Sequence, residues 1–295
     1  MRKILLASTA LVALTSVSAM AADVSISGSS EIVLDMGDSA TTDQSAFAIE
    51  NDINIKFSNT TDSGITTSMN YGLDESGGKD DMIVSISGDF GSISYSDQAD
   101  DHALTAVDNE ASGTAEENTG TLPSGTYTGS LPGIGDDHMT YKLPSIIDGL
   151  GVAVSVANGS TGEAASYAVT YAAGPLALVY GEVRGHTQTD THFGATISMA
   201  GAKLMVAKNS NDEAAHSNEA TLIGATYAVS PELTLGVEID KGETGTAGED
   251  FAMTAFGATY AIAPGLSASI TSTETDSGTD ANDSNYTSVG LHLAW

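Results

Sequence analysis

The chain contains no cysteine, one tryptophan, six prolines and only nine lysines and arginines among its 295 residues. Because no disulfide can form, a chain of this length is held together by backbone pairing and packing, and it is not a small cross-linked scaffold. The nine bases face 39 aspartates and glutamates. Since nucleic-acid binding needs clustered bases against the phosphates, this scarcity excludes a nucleic-acid partner.

Long hydrophobic runs are also scarce. The one run, residues 4–17, follows Arg2 and Lys3 and is shorter than the roughly 20 residues that a spanning helix needs. The small residues of the motif AMA come directly after it, as at a signal-peptidase cleavage site. These features predict a secretory signal peptide over residues 1–21 and a mature chain over residues 22–295.

Removal of the signal peptide leaves seven bases against 39 acids, a net charge near −32. Such a surface attracts cations, including divalent ones, and repels other anions. A second interpretation is adaptation to a salty habitat, where acidic surfaces stay hydrated. The charge alone does not distinguish the two.

Apolar and polar residues alternate from Val24 to the end of the chain, which predicts β-strands. The segment FAIENDINIKF puts its aromatic and isoleucine side chains on one face and Glu50, Asp52, Asn54 and Lys56 on the other. Sixteen segments of this kind are found. Abundant glycine and few charged residues other than acids also favour strand over helix.

The connections between these segments alternate strictly in length. Every odd connection is long and acidic, such as DKGETGTAGED, and every even one is a tight turn with glycine or proline, such as IAPG. An up-and-down barrel in an outer membrane sorts its loops in this way, because every second connection lies on the same side. The sequence therefore predicts an all-β, 16-stranded antiparallel transmembrane barrel in the outer membrane of a Gram-negative bacterium.

The last segment, SVGLHLAW, alternates up to its final residue. Lipid cannot satisfy a free backbone edge, so the last strand has to pair with the first and close the cylinder. We expect Trp295 to take part in this closure and to lie at the membrane interface, where aromatic residues concentrate.

At this point the sequence resembles the general diffusion porins of Gram-negative bacteria, above all the Rhodobacter-like porins of α-proteobacteria. The residues that carry the resemblance are the signal peptide ending in AMAAD, the opening strand VSISGSSEIVL, the segment GDFGSISYSDQAD and the terminal aromatic residue. The resemblance implies a homotrimer, a third loop folded into the barrel, and a terminal aromatic residue that serves as an assembly signal. Family members usually end in phenylalanine, so Trp295 is expected to be a weaker substitute.

The third loop of that family narrows the pore. Its counterpart here is the segment 97–137, the longest connection, which is rich in acids and has no base. We expect it to be the constriction loop; the alternative is an external flap. Its acids that we assign to the constriction are Asp100, Asp101, Asp108, Glu110, Glu116 and Glu117.

In the family, an arginine cluster on the wall commonly faces the acids of the loop. Here the only bases of the first half with inward parity are Lys56 and Lys142. The acids with lumen-facing parity on the first two strands are Glu31, Asp35, Glu50 and Asp52. We therefore expect a negative pore that prefers cations.

The function expected from these features is passive diffusion of ions and small hydrophilic solutes, without catalysis and without a cofactor. The expected partners are further copies of the chain, outer-membrane lipid and lipopolysaccharide, and the diffusing solutes. The alternatives are a substrate-specific outer-membrane channel, a secreted surface or adhesin β-protein, and an outer-membrane enzyme.

Few residue patterns in the sequence indicate a metal-binding or catalytic site. His186, Asp190 and His192 have metal-ligating side chains but loose spacing. The segment DSGTDANDSN has oxygens that suit Ca²⁺, but its glycine is misplaced for a calcium-binding EF-hand loop and no twelfth-position glutamate follows. We expect at most weak Ca²⁺ or Mg²⁺ binding on the acidic outer loops. No glycine-framed serine nucleophile is present.

Overall fold

A computed structural model of the chain shows one closed antiparallel barrel of sixteen strands. The structure describes residues 23–39, 42–74, 78–97, 103, 137–159, 162–185, 188–213, 216–244, 249–276 and 283–295. The strands are β1 (Asp23–Ser39), β2 (Thr42–Thr60), β3 (Thr66–Leu73), β4 (Lys79–Gly88), β5 (Gly91–Ser96), β6 (His138–Lys142), β7 (Leu150–Gly159), β8 (Gly162–Ala173), β9 (Leu176–Arg184), β10 (Gln188–Met199), β11 (Ala202–Glu213), β12 (His216–Ala228), β13 (Leu233–Thr244), β14 (Glu249–Ala263), β15 (Leu266–Asp276) and β16 (Ser284–Ala294). The predicted strand number and antiparallel topology are confirmed.

Each strand pairs with its neighbours in sequence, and β1 pairs with β16 to close the sheet. Among the described residues, no helix has the length and apolar character needed to cross a membrane. The predicted signal peptide, residues 1–21, lies outside the described residues.

The two faces of the sheet differ as the alternation predicts. Exposed apolar side chains lie on the outer face, for example Ile26 at 66% and Phe47 at 76% exposure. The register keeps each face continuous across strands, since Ile32 of β1 lies opposite Ile49 of β2 and Leu291 of β16. A belt of apolar residues thus surrounds the whole barrel, which is what contact with lipid requires.

The even connections are the predicted short turns. Residues 174–175 and 264–265 join their hairpins directly, and Gly174 and Gly265 there have φ of 57° and 72°. Glycine adopts this left-handed conformation without the steric cost that other residues meet. The strand ends that the even connections join lie at one end of the barrel, and those that the odd connections join lie at the other.

The strands reach further into the odd connections than the alternation predicts. β1 runs to Ser39 and β2 begins at Thr42, although the sequence there reads as an acidic loop. Similarly, β10 begins at Gln188, so Asp190 and His192 lie in a strand. The hydrogen bonds between antiparallel strands join backbone groups and do not depend on the side chains. A hairpin can therefore extend beyond the apolar belt through residues that are polar or acidic.

The seam between β1 and β16 continues to the last residue. Trp295 N–H donates to the carbonyl oxygen of Gly28 at 3.0 Å, and Gly28 N–H donates to the carbonyl oxygen of Trp295 at 3.1 Å. A Cβ on Gly28 would lie 2.7 Å from the Trp295 ring. Gly28 therefore provides the space in which the indole lies across the seam.

We expect Gly28→Val to weaken the seam, because the new side chain would overlap the Trp295 ring and the carbonyl oxygen of Asp52. Overpacking of this kind costs about 1–3 kcal/mol. Urea unfolding in lipid vesicles, followed by the gel shift between folded and unfolded barrel, measures the change. Ile26→Val, on the same face of the same strand, is the control. Equal stability of the two variants would contradict the role of Gly28.

Candidate functional site: the barrel lumen

The inward face over β1–β6 is lined mainly by hydroxyl, amide and charged side chains. Hydrogen bonds join neighbours across the strands: Ser68 Oγ lies 2.8 Å from Ser85 Oγ, and Asn70 Nδ2 donates to Asn54 Oδ1 at 3.1 Å. These groups leave further donors and acceptors toward the centre of the barrel. This part of the wall therefore suits contact with water.

The four acids predicted on the first two strands are brought together on the inward face. Glu31 of β1 lies directly opposite Glu50 of β2, and Asp52 lies opposite Ser29. Their strand neighbour Asp35 accepts a hydrogen bond from Ser288 Oγ at 2.5 Å. Like charges directly opposite each other repel, so this arrangement concentrates negative potential at one side of the lumen.

The two predicted bases also face inward. Lys56 lies opposite Asn70, and Lys142 lies opposite Ser92 and Ala153. A third inward base, Lys203, was missed by the sequence analysis. The segment AKLMVAKN carries apolar residues on both faces, so its alternation did not indicate which face is inward.

Three buried inward acids were also not assigned to the pore: Asp190 at 2%, Glu238 at 6% and Asp240 at 5% exposure. Across the described strands, the acids at inward positions thus outnumber the bases at inward positions. The acids include Asp23, Glu31, Asp35, Glu50, Asp52, Asp81, Asp190, Glu238 and Asp240, and the bases include Lys56, Lys142 and Lys203. The excess of acids predicted for the first strands therefore extends around the wall.

The candidate metal residues do not converge in the described part of the chain. Asp190 and His192 share the inward face of β10, and His192 Nδ1 lies 2.5 Å from Asn209 Oδ1. His186 lies outside the described residues. Within the described ranges, no three histidine, aspartate or glutamate side chains could together hold a metal ion. Most of the calcium-like segment DSGTDANDSN, residues 277–282, also lies outside them.

A serine–histidine–glutamate row lies on the inward face near the turn end of the barrel. Ser269 Oγ lies 2.8 Å from His292 Nε2, and His292 Nδ1 lies 3.8 Å from Glu31 Oε1. The second distance exceeds a hydrogen bond, and Ser269 lies within a strand paired on both sides. The backbone there offers no pair of free N–H groups for an oxyanion, so the row does not build a hydrolase site.

The opposite part of the wall is lined mainly by small residues and carries one residue of the long third connection. Ala103 is 1% exposed and packs with inward residues of β7, β8 and β9. The wall residues of this cluster are Ala153, Ala157, Ala164, Ala168, Val179 and Val183. Ala103 N–H donates to Ser155 Oγ at 2.8 Å. At this residue, the segment 97–137 lies inside the barrel.

Both ends of that segment are fixed near the rim. Asp97 accepts hydrogen bonds from Lys79 Nζ and, at 2.9 Å, from Met82 N–H. Partial burial opposes ionisation of Asp97, but these two hydrogen bonds outweigh it and hold its pKa below the usual value. At the other end, Tyr95 OH donates to Asp137 Oδ1 at 2.6 Å. The six acids predicted at the constriction, Asp100 to Glu117, lie outside the described residues.

The fold and this lumen define a class of protein. A closed barrel with an apolar outer belt, a polar inner wall and one connection entering the lumen is a transmembrane β-barrel channel. A family model of the Gram-negative porins matches residues 7–289. The chain therefore belongs to the Gram-negative porin family, and it is a multi-pass outer-membrane channel protein.

Solved structures show the same fold at low sequence identity. The outer-membrane protein OmpT of Vibrio cholerae, in a form that lacks one loop, has a TM-score of 0.70 and 15% identity, covering 94% of this chain and 100% of that chain. An engineered variant of Rhodobacter blastica porin has a TM-score of 0.68 and 17% identity, covering 92% of this chain and 100% of that one. No curated protein matches the chain by sequence.

We expect a disulfide to form between cysteines at positions 103 and 155, because the Ala103 backbone N–H contacts the Ser155 side chain. The chain has no cysteine of its own, so no background pairing competes. The double variant Ala103→Cys, Ser155→Cys is oxidised in the folded state and followed by protease mapping with and without reductant. Ala103→Cys with Val154→Cys, whose second cysteine faces outward, is the control. Equal cross-linking of both pairs would contradict the position of Ala103.

Proposed function

We propose that the chain forms a water-filled channel for passive diffusion of ions and small hydrophilic solutes, and that the channel prefers cations. The observation that carries the preference is the described inner wall, where acids outnumber bases. Barrels of sixteen strands leave an aqueous passage, whereas eight strands fill their own interior. Membership of the porin family supports the channel, and the charge of the inner wall supports the preference for cations.

The acids act on a passing ion through the water of the lumen. Glu31 and Glu50 lie side by side with Asp52 two residues further along β2, so a cation meets several carboxylates in a few ångströms. Rings and clusters of carboxylates favour cations over anions. Salt screens these charges with a Debye length of about 10 Å at 0.1 M, so the preference should weaken as salt rises.

The position of the arginine supports the same direction of selectivity. The only arginine outside the predicted signal peptide is Arg184, and its strand parity is outward. The described inner wall therefore lacks the arginine cluster that the family resemblance implied. Without an inward basic track, a pore specific for phosphate or other anions has no electrostatic support.

The proposal also covers the third connection, the assembly and the ligands. We propose that residues 97–137 form the constriction, with Ala103 on the wall as the supporting contact. We also propose a homotrimer in contact with outer-membrane lipid and lipopolysaccharide, no enzymatic activity, no cofactor, and at most weak Ca²⁺ or Mg²⁺ binding at the acidic connections.

The decisive measurement is electrical. Protein purified in detergent is inserted into a planar bilayer, and conductance steps and the reversal potential are recorded in a KCl gradient. Large ohmic steps with a reversal potential of cation sign support the proposal. Silence of folded, inserted protein would overturn the channel, and a reversal potential of anion sign would overturn the preference.

We expect the double variant Glu31→Gln, Glu50→Gln to lower the permeability ratio of K⁺ to Cl⁻ by about 2- to 5-fold, because the two carboxylates together contribute about 0.4–1 kcal/mol to a nearby ion in water. The reversal potential in a tenfold KCl gradient measures the ratio. Glu274→Gln removes an exposed acid from the outer face of β15 and is the control. An unchanged ratio in the double variant would exclude this pair from selectivity.

A further inference from the structure

One carboxylate on the outer face of the barrel is buried by its neighbours. Glu182 of β9 alternates with the inward, fully buried Val183 and lies opposite Tyr167 of β8, so it belongs to the outer, lipid-facing side. Its exposure is nevertheless only 6%. A charge on a lipid-facing surface is costly unless it is paired and hydrogen-bonded, and residues of this kind usually have a function.

Three neighbours satisfy Glu182 completely. Tyr167 OH donates to Glu182 Oε2 at 2.8 Å, and Tyr180 OH donates to the same oxygen at 3.2 Å. Arg184 Nε–H donates to Oε1. The two tyrosine rings lie 6.0 Å apart at 44° and cover the carboxylate. The two hydroxyls stabilise the negative charge on the carboxylate. Glu182 binds Arg184 through its Nε–H, which leaves the other N–H groups of the guanidinium available.

The guanidinium of Arg184 is left open for a ligand. Its side chain is 70% exposed, and its four remaining N–H donors have no partner among the described residues. The cross-strand neighbours on either side, Ala165 and Thr189, are small and leave room around it. By contrast, Lys208 on the same outer face is neutralised by an equally exposed Glu219 at 2.9 Å.

The position of Arg184 along the strand selects the kind of ligand. It is the last residue of β9, at the same end of the barrel as the ends of the long third connection, which in outer-membrane barrels faces the exterior. The cost of a charge on the lipid face falls toward zero near this interface, where lipid phosphates lie. The exposed rings of Tyr180 and Phe193, paired across β9 and β10, extend below it as an apolar surface for acyl chains.

We propose that Arg184, held by Glu182, Tyr167 and Tyr180, binds the phosphate of an anionic lipid in the outer leaflet. The planar fork of a guanidinium matches two phosphate oxygens at once, which a lysine ammonium does not. The adjacent aromatic surface favours a lipid over free phosphate. This site lies outside the lumen and is independent of conduction.

The test measures lipid retention by native mass spectrometry of the detergent-purified barrel incubated with an equimolar mixture of phosphatidic acid and phosphatidylcholine. The wild-type chain should retain phosphatidic acid preferentially, and Arg184→Gln should lower its apparent affinity by about tenfold, the range expected for loss of a charge-assisted bidentate contact. Arg184→Lys should lie between the two. Lys241→Gln, which removes an exposed outward base of β13 that has no ion pair in the described part of the chain, should resemble wild type.

Each contrary result overturns the assignment. Retained preference in Arg184→Gln excludes the site, and an equal loss in Lys241→Gln reduces it to general surface charge. Displacement of phosphatidic acid by millimolar inorganic phosphate would move the ligand from a lipid to the free ion. A change in subunit number with unaltered lipid retention would make Arg184 a contact between copies. The bilayer conductance of Arg184→Gln should equal that of wild type, so a failure of the channel proposal would remain separate.

Discussion

The constraint on which the structure depends is that hydrocarbon offers no partner to a backbone N–H or C=O group. A sheet satisfies this condition only when its two edges meet, and here they meet between β1 and β16. The ladder continues to Trp295, whose backbone exchanges two hydrogen bonds with Gly28. Glycine at that point is a consequence of closure, since a side chain there would overlap the indole.

Closure by a single layer separates the demands on the two faces. The outer face needs only to be apolar, whereas the inner face has no partner layer and is free to carry function. The inward residues differ from one part of the wall to another. Carboxylates such as Glu31 and Glu50 lie together on β1 and β2, while small apolar residues of β7 to β9 receive Ala103. The wall of β7 to β9 thus holds the chain segment that enters the lumen, while carboxylates also lie on other strands of the wall, such as β10 and β13.

The alternation of period two was enough to predict the strand number and the inward parity of Lys56 and Glu31. It did not predict the lengths of the odd connections, because several strands extend through the acidic segments and leave connections as short as residues 40–41 and 160–161. It failed where both faces of a strand are apolar, as around Lys203, because parity is then ambiguous. It also gave no sign that Ala103 contacts Ser155, since a contact between a long connection and a wall 52 residues away leaves no periodic signal.

The outer cluster around Glu182 shows why a parity rule alone misreads such a residue. Alternation places Glu182 on the lipid-facing side, where a charged side chain is costly. In the structure, Tyr167, Tyr180 and Arg184 lie on the same face of two adjacent strands and hydrogen-bond to it. Aromatic residues concentrate at membrane interfaces because their rings suit the acyl region and their hydroxyls the polar region. A carboxylate that uses those hydroxyls can orient an arginine at that depth. The interfacial belt of a barrel can therefore serve as a binding surface as well as an anchor in the membrane.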